Sequence, residues 1–448
     1  MKFIQGYDRT QTALFPLTLE QSIGQDNEVR IIDLFVDNLP LDTYGFELEY
    51  IENGRPAYHP SDLLKLYIYG YLNKTRSSRN LEKECKRNIE VMWLLKGLEP
   101  DHNTISNFRR DNPKAIKKVF RATVQIAKNF DLIGGELIAG DSTKLRAQNS
   151  KKNNFNQKKI DCHVAYNVQT TVDEKHKLPI DYKVTNANDS KAMGNMLRRA
   201  KSILRTNDFT ALYDKGYHTG SEFKLADDLG IDVMVAIAAV AANAPNKAYN
   251  VEHFIYEPTG DYYVCPQGQK LTTTGTLHKT RTYRFKRYTT KACLECPVKD
   301  QCSKAKYGKG IQRSEYQHYI NQNKERIENN KEYYRQRQAI VEHPYGTVKR
   351  QWGFNYIMTK KSIKRAEADV GLIFTAYNFR RLINIIGLKQ LMSYLREVLS
   401  IILTYITLIL RKTSQFKLSD YWIKITHQFL VPFVEKLIFG RNLLFKQY

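Results

Sequence analysis

Residues 135–147 read GELIAGDSTKLRA, and the fold turns on how the run from Leu137 to Asp141 is taken. A short apolar run closed by a charged residue predicts a buried strand, with a carboxylate held at the edge of the sheet. Residues 209–220, FTALYDKGYHTG, repeat that design and end on Asp214. Between them, HVAYNVQTTVD (163–173) and LPIDYKVTN (178–186) alternate as a strand pair joined by the polar turn Glu174 to Lys177. SKAMGNMLRRAKSIL (190–204) has helical spacing, SEFKLADDLG (221–230) is a helix ending at Gly230, and IDVMVAI (231–237) is another strand. The order strand, strand, strand, helix, strand, helix, strand predicts an α/β layer built on a mixed sheet.

Outward from that layer the texture changes on both sides. Residues 1–133 read as helical. In HPSDLLKLYIYGYLNKT (59–75) the apolar residues crowd a wide face and Pro60 with Ser61 marks a start. In DHNTISNFRRDNPKAIKKVFRATVQIAKNF (101–130) Thr104 is the expected cap of a short helix, and Pro113 opens a longer one. Short helices broken by Gly, Pro and Asn resemble a helix-turn-helix neighbourhood, so Arg109 and Arg110 are candidate DNA contacts. Residues 238–322 break the α/β pattern with tyrosine-rich, cysteine-bearing sequence and read as an insertion. Helical character resumes at NKERIENNKEYYRQRQAIVEH (323–343) and ADVGLIFTAYNFRRLINIIG (368–387). The expected organisation is a helical DNA-binding part over 1–133, a catalytic α/β part over 134–388 interrupted by 238–322, and a helical C-terminal segment over 389–448.

Composition narrows the function classes. The 448 residues are enough for two or three domains, and 70 Lys and Arg against 46 Asp and Glu leave a formal net charge of +24. That excess points to a polyanionic partner. Six cysteines are too few for a secreted disulfide framework. The N-terminus lacks the apolar core of a signal peptide. The apolar run Glu397 to Leu410 falls short of the ~20 residues a membrane span needs. A cytoplasmic, nucleic-acid-binding protein that does not enter a membrane is expected. There is no Walker-type loop, no GxGxxG after a strand and no HExxH, which argues against nucleotide hydrolysis and zinc proteolysis.

Asp141, Asp214 and a third acid, Glu342 in QAIVEHPYGTVKRQW (338–352), are the candidate catalytic and metal-ligating residues. Three converging carboxylates could hold two Mg²⁺ or Mn²⁺ ions for phosphodiester displacement. Taken singly, each acid has a plainer reading: a turn or cap for Asp141 and Asp214, and a lysine pair on the helix for Glu342.

Taken together, GDSTKLRAQNSK (140–151), LYDKGYHTG (212–220) and IVEHPYGTVKRQWGF (340–354) resemble the three acidic blocks of DDE-class insertion-sequence transposases. HPSDLLKLYIYGYLN followed by DHNTISNFRRDN resembles the helical N-terminal domain of one group of them. The resemblance implies a ribonuclease H-like mixed sheet flanked by helices, an all-helical N-terminal domain, and an inserted subdomain between the second aspartate and the glutamate. Asp214 and Glu342, 128 positions apart, leave room for it. The resemblance also implies that Asp141, Asp214 and Glu342 form the catalytic triad. Related enzymes carry a tyrosine and an arginine before the glutamate and a lysine seven positions after it. Lys349 fits the lysine, whereas Tyr334 and Arg337 keep their mutual spacing but lie one residue too far from Glu342. The implied activity is binding of terminal inverted repeats, cleavage of the element ends, and joining of the 3′-hydroxyls to target DNA by a homodimer or higher assembly in a prokaryotic nucleoid. A nuclease that cuts without joining and a non-enzymatic DNA-binding relic are the alternatives.

Lys144, Arg146, Lys349, Arg350 and Trp352 flank the acids and suit a DNA end, since cations engage phosphates and an indole stacks on a base. Within the insertion, Cys265, Cys293, Cys296 and Cys302 have the donor chemistry of a structural Zn²⁺ site, with reduced structural thiols or a redox pair as the alternatives. Between Lys270 and Arg313 stand 12 basic and 2 acidic residues with Tyr283, Phe285 and Tyr288 interleaved, a second candidate DNA surface. His163, His218 and His343 neighbour the acidic blocks and read equally well as phosphate contacts or as satisfied turn and core histidines.

Overall fold

The computed structural model of the chain describes residues 18–48, 56–147, 165–237, 244–358 and 362–413. Its centre is a five-stranded sheet of β1 (Leu137–Arg146), β2 (Ala165–Asp173), β3 (Pro179–Thr185), β4 (Thr210–Tyr213) and β5 (Asp232–Val235), in the order β3-β2-β1-β4-β5. β1, β2 and β3 pair antiparallel, while β4 and β5 run parallel to β1. Parallel neighbours need crossover connections. Helices Met193–Leu204 and Gly220–Asp228 supply them.

β1 runs further than its apolar segment does. It pairs with β4 only through Ala139↔Leu212 but with β2 all the way to Arg146↔Ala165. Asp141 therefore lies within the strand, just past the point where β4 ends. Asp214 follows β4 directly, as the sequence predicts.

Side-chain alternation along β1 serves two cores. Leu137 and Ala139 pack with Val172, Leu212, Met234, Ile340 and Val341 on one face. Ile138 joins the main core on the other. That main core also takes in the helices before residue 134, so Tyr67, Tyr71 and Phe120 share it with Tyr182 and Phe374.

Helix Pro60–Leu72 carries Pro60 at its first position, and its residues Leu63 to Leu72 are all buried. A helix buried on all sides, its one buried charge Lys65 paired with Asp33 and Asp37, belongs inside and not on a DNA-facing surface. The next short helix, His102–Asp111, is capped by Asp101, whose Oδ1 accepts from the backbone of Asn103 and Thr104. Thr104 is not the cap; its hydroxyl donates to Asp101. Pro113 opens the helix Pro113–Asn129 as expected.

The insertion forms two small three-stranded sheets with their own core of Phe254, Tyr263, Leu271, Tyr288 and Ile311. Helix resumes at Gln317, six residues earlier than the sequence indicates, as Gln317–Asn329 and then Lys331–Gly346. The latter crosses the acid-bearing face of the sheet and runs into a π-helical turn, Thr347–Gln351. Pro344, near its end, cannot donate to the helical ladder, which loosens this turn. Helix Ile363–Ile386 packs on the opposite face, where Asn378 donates to Pro179 O at 3.0 Å. The helix Leu388–Thr413 contains the apolar run Glu397–Leu410, and the rest of the expected C-terminal segment lies outside the described residues. Among the described residues no helix is long and apolar enough to cross a membrane.

Candidate active site

Asp141 and Asp214 meet where β1 outruns β4. Asp141 Oδ1 accepts from Ser142 N at 2.7 Å, and Asp214 Oδ1 accepts from Gly216 N at 2.9 Å, capping the turn Lys215–Tyr217. The second oxygen of Asp141 takes a 3.2 Å contact from Arg337 Nη1, and that of Asp214 has no partner among the described residues. Burial pushes the Asp141 carboxyl above its ordinary range and the neighbouring Asp214 adds to this, while Arg337 and the Ser142 N–H oppose it. A carboxylate desolvated beside a second one attracts cations strongly.

The helix Lys331–Gly346 brings three more groups to this edge. Tyr334 Oη donates to Tyr213 O at 2.8 Å, and Tyr345 Oη donates to Asp141 O at 3.0 Å while bonding the Thr170 hydroxyl. Arg337 is the third. Residues five apart on an α-helix are turned by roughly 140° about its axis. With Arg337 towards the sheet, Glu342 is therefore turned away. It is exposed and accepts from Gln338 Nε2 at 2.8 Å. The π turn adds a residue to the following turn, and Lys349 Nζ returns to β1, 3.1 Å from Thr143 Oγ1.

The structure thus unites Asp141 with Asp214 and places Glu342 on the crossing helix without closing a three-carboxylate cluster. Among the described residues no three His, Cys, Asp or Glu stand where they would hold a metal ion. The oxygen donors of Asp141 and Asp214 do suit a hard divalent cation. The buried Tyr217 hydroxyl, in the field of Asp189 and Asp141, has no hydrogen-bond partner among the described residues.

Two family profiles match the sequence. One, described as a transposase domain (DUF772), matches residues 17–111, and the other, described as a transposase DDE domain, matches residues 264–383. These two matches support a DDE-class insertion-sequence transposase. The second match spans Glu342 and Lys349, and neither spans Asp141 or Asp214. A solved structure described as the cryo-EM structure of a piggyBac transposase synaptic complex with hairpin DNA aligns over 90% of this chain and 83% of its own, at 10% identity and a TM-score of 0.29. That likeness is too faint to carry an inference. No curated protein sequence matches the transposase.

Of the basic residues expected at DNA, Lys144, Arg146 and Arg350 are exposed on the transposase, and Lys349 is half-buried. Trp352 is half-buried against Phe354 and Tyr377, so its indole already serves in packing. Arg110 is half-buried and forks onto Asp111. Arg109 overturns its expectation as a DNA contact. It is 3% exposed, donates to Tyr71 Oη at 2.9 Å and to Arg76 O at 3.2 Å, and pairs with Asp369. Next to Phe108 on a helix whose inner face packs on the core, its charge has turned inward to a buried acid.

Cys265, Cys293, Cys296 and Cys302 line one cavity of about 20 Å³, room for roughly one water or ion. Their sulfurs do not stand in a ligating arrangement. A larger cavity of about 660 Å³, lined by Glu136, Thr210, Asp232 and Arg326 among others, lies at the opposite end of the sheet. Ligands of open α/β sheets gather at the carboxyl ends of the strands, which favours the aspartate end. Sequence reading missed Tyr217, Tyr345 and Asp189; only the polar stretch TNANDSK after β3 signals the last, and it reads as a plain loop.

Proposed function

We propose that this transposase binds the terminal inverted repeats of its own element, cleaves the element ends, and joins the released 3′-hydroxyls to target DNA as a homodimer or higher assembly. The observation that carries this reading is the meeting of Asp141, where β1 outruns β4, with Asp214 at the carboxyl end of the parallel neighbour β4. The strand order β3-β2-β1-β4-β5, antiparallel on one side and parallel on the other, supports a ribonuclease H-like core. Asp141 and Asp214 would hold the divalent ions, and Glu342, turned outward on the crossing helix, would complete the donors only once that helix rotates towards the pair. Two Mg²⁺ or Mn²⁺ ions supply activation of the attacking oxygen and stabilisation of the leaving one.

The chain's own residues do the rest. Arg337 balances the charge of Asp141, and Tyr345 fixes the strand at that residue through its backbone carbonyl. Lys144, Arg146, Lys349 and Arg350 would take phosphates of the bound end. In the insertion, the four cysteines have the donor chemistry of a structural Zn²⁺ but would have to draw together to hold one, while the basic strand Arg284–Tyr288 would track DNA backbone. The work belongs in the cytoplasm of a prokaryote, on its nucleoid.

The test is incubation of the full chain with Mg²⁺, intact and pre-cleaved element ends in separate reactions, and a plasmid. Joined products are expected, and Asp141→Asn should abolish cutting and joining while end binding persists. Cutting without joining would favour a plain nuclease, and loss of end binding in Asp141→Asn would make that residue structural.

A further inference from the structure

Asp189 lies outside all three acid-bearing blocks, in the short turn Asp189–Lys191 after β3. Its Oδ1 accepts from Asn167 Nδ2 at 2.7 Å, and the same amide reaches Ala187 O at 3.1 Å, pinning the turn to β2. Its Oδ2 accepts from Ser142 Oγ at 2.9 Å. Ser142 gives its own N–H to Asp141 Oδ1, so Asp189 grips the residue that orients Asp141. It also backs the other acid. A methyl group placed on Gly216 would stand 3.0 Å from Asp214 Oδ1 and 3.6 Å from Asp189 Oδ2, so the two carboxylates flank one glycine. The ring of Tyr217 is wholly buried beside them, and its unpaired hydroxyl stands in the field of both Asp189 and Asp141. Three chain segments with no sequence adjacency are thereby tied at one point.

We infer that Asp189 is a positioning residue that holds Asp141 and Asp214 in register to take a divalent cation. The inference rests on the proposed function, since it presumes that those two aspartates bind the ion. Asp189 acts through its neighbours: both its oxygens are engaged by protein donors, which suits a group that aims ligands.

The probe is Mn²⁺ alone, titrated into the full chain and followed by the electron paramagnetic resonance of the free ion, with no DNA present. Asp189→Ala should weaken Mn²⁺ binding about 10- to 100-fold, the usual range for such partners. Asp189→Asn, which keeps an acceptor and the side-chain volume, should recover most of that loss. Wild-type affinity in Asp189→Ala would overturn the inference, and so would an Asp189→Asn as weak as Asp189→Ala, because Asp189 would then be a ligand itself. If Asp189→Ala does not fold by circular dichroism, Ser142→Ala cuts the same link from β1. Its wild-type affinity would equally overturn the inference. Unchanged Mn²⁺ binding in Asp141→Asn would instead sink the underlying site assignment.

Discussion

Arg337 Nη1 lies 3.2 Å from Asp141 Oδ2, joining a helix to a strand 196 positions earlier in the chain. The guanidinium is the main cation opposing the desolvation of that carboxylate.

This pairing sets a pH dependence. The folded pKa of Asp141 is raised above 3.8, so the folded chain holds that proton more tightly than the unfolded one. Stability then falls as pH climbs from 3.8 through the raised value, and the full penalty is present at neutral pH. Asp141→Asn should raise the melting temperature by a few degrees at pH 7, with the gain shrinking as pH approaches 3.8. Arg337→Ala should lower it at pH 7. Scanning calorimetry across that range checks both signs.

Gly140 admits no side chain. A methyl group there would lie 2.0 Å from Tyr213 Cε1, against a buried ring with no room to yield. Gly140→Ala should cost about 1–3 kcal/mol in denaturant unfolding. It should also depress cleavage, because the displaced strand carries Asp141.

The buried charge cluster around Asp369 holds the N-terminal helices to the rest. Asp369 is fully buried, pairs with Arg76 and Arg109 at 3.5 Å each, accepts from Met358 N at 2.8 Å and bonds the Tyr71 hydroxyl. Asp369→Ala leaves two guanidinium groups without a counter-charge and should cost about 3–5 kcal/mol. Arg109→Ala should likewise destabilise the fold, whereas Arg110→Ala should change stability by no more than about 0.5 kcal/mol. Urea titrations of the three variants separate these outcomes.

DNA affinity should fall steeply with salt, by counterion release. Removing one phosphate contact among Lys144, Arg146, Lys349 and Arg350 should flatten the log–log slope by about 0.9. Fluorescence anisotropy at several salt concentrations reads this directly, and a slope unchanged in all four variants would move the interface elsewhere.

Asp261 gives the insertion an acid limit. Lys286 above all, then the Tyr288 and Tyr256 hydroxyls, lower its carboxyl to about 2 from 3.8. Its contribution to stability is complete above 3.8 and is lost as pH falls towards 2. Asp261→Asn should therefore melt earlier than wild type at pH 7, and the two curves should converge near pH 2.

The order of strands and helices was legible in the sequence because a β-strand and a helix write different apolar periods, and each is a local property. So were Asp141 and Asp214, each placed by an apolar run immediately before it. The length of β1 was not, since its polar half from Ser142 to Arg146 is held by pairing with β2, which no local pattern announces. The fate of Arg109 was equally hidden: an arginine reads as a surface cation until Asp369, 260 positions later, is packed against it. Asp189 was hidden for the same reason, since its partners Ser142 and Asn167 lie on strands distant in the chain. What the sequence determined by itself is what depends on neighbours along the chain: element type, their order, and the two aspartates at the ends of apolar runs. Only the tertiary structure decided which charges face inward, which way Glu342 turns, and which carboxylate steadies the pair, because those follow from long-range packing and from the rotation of one helix about its own axis.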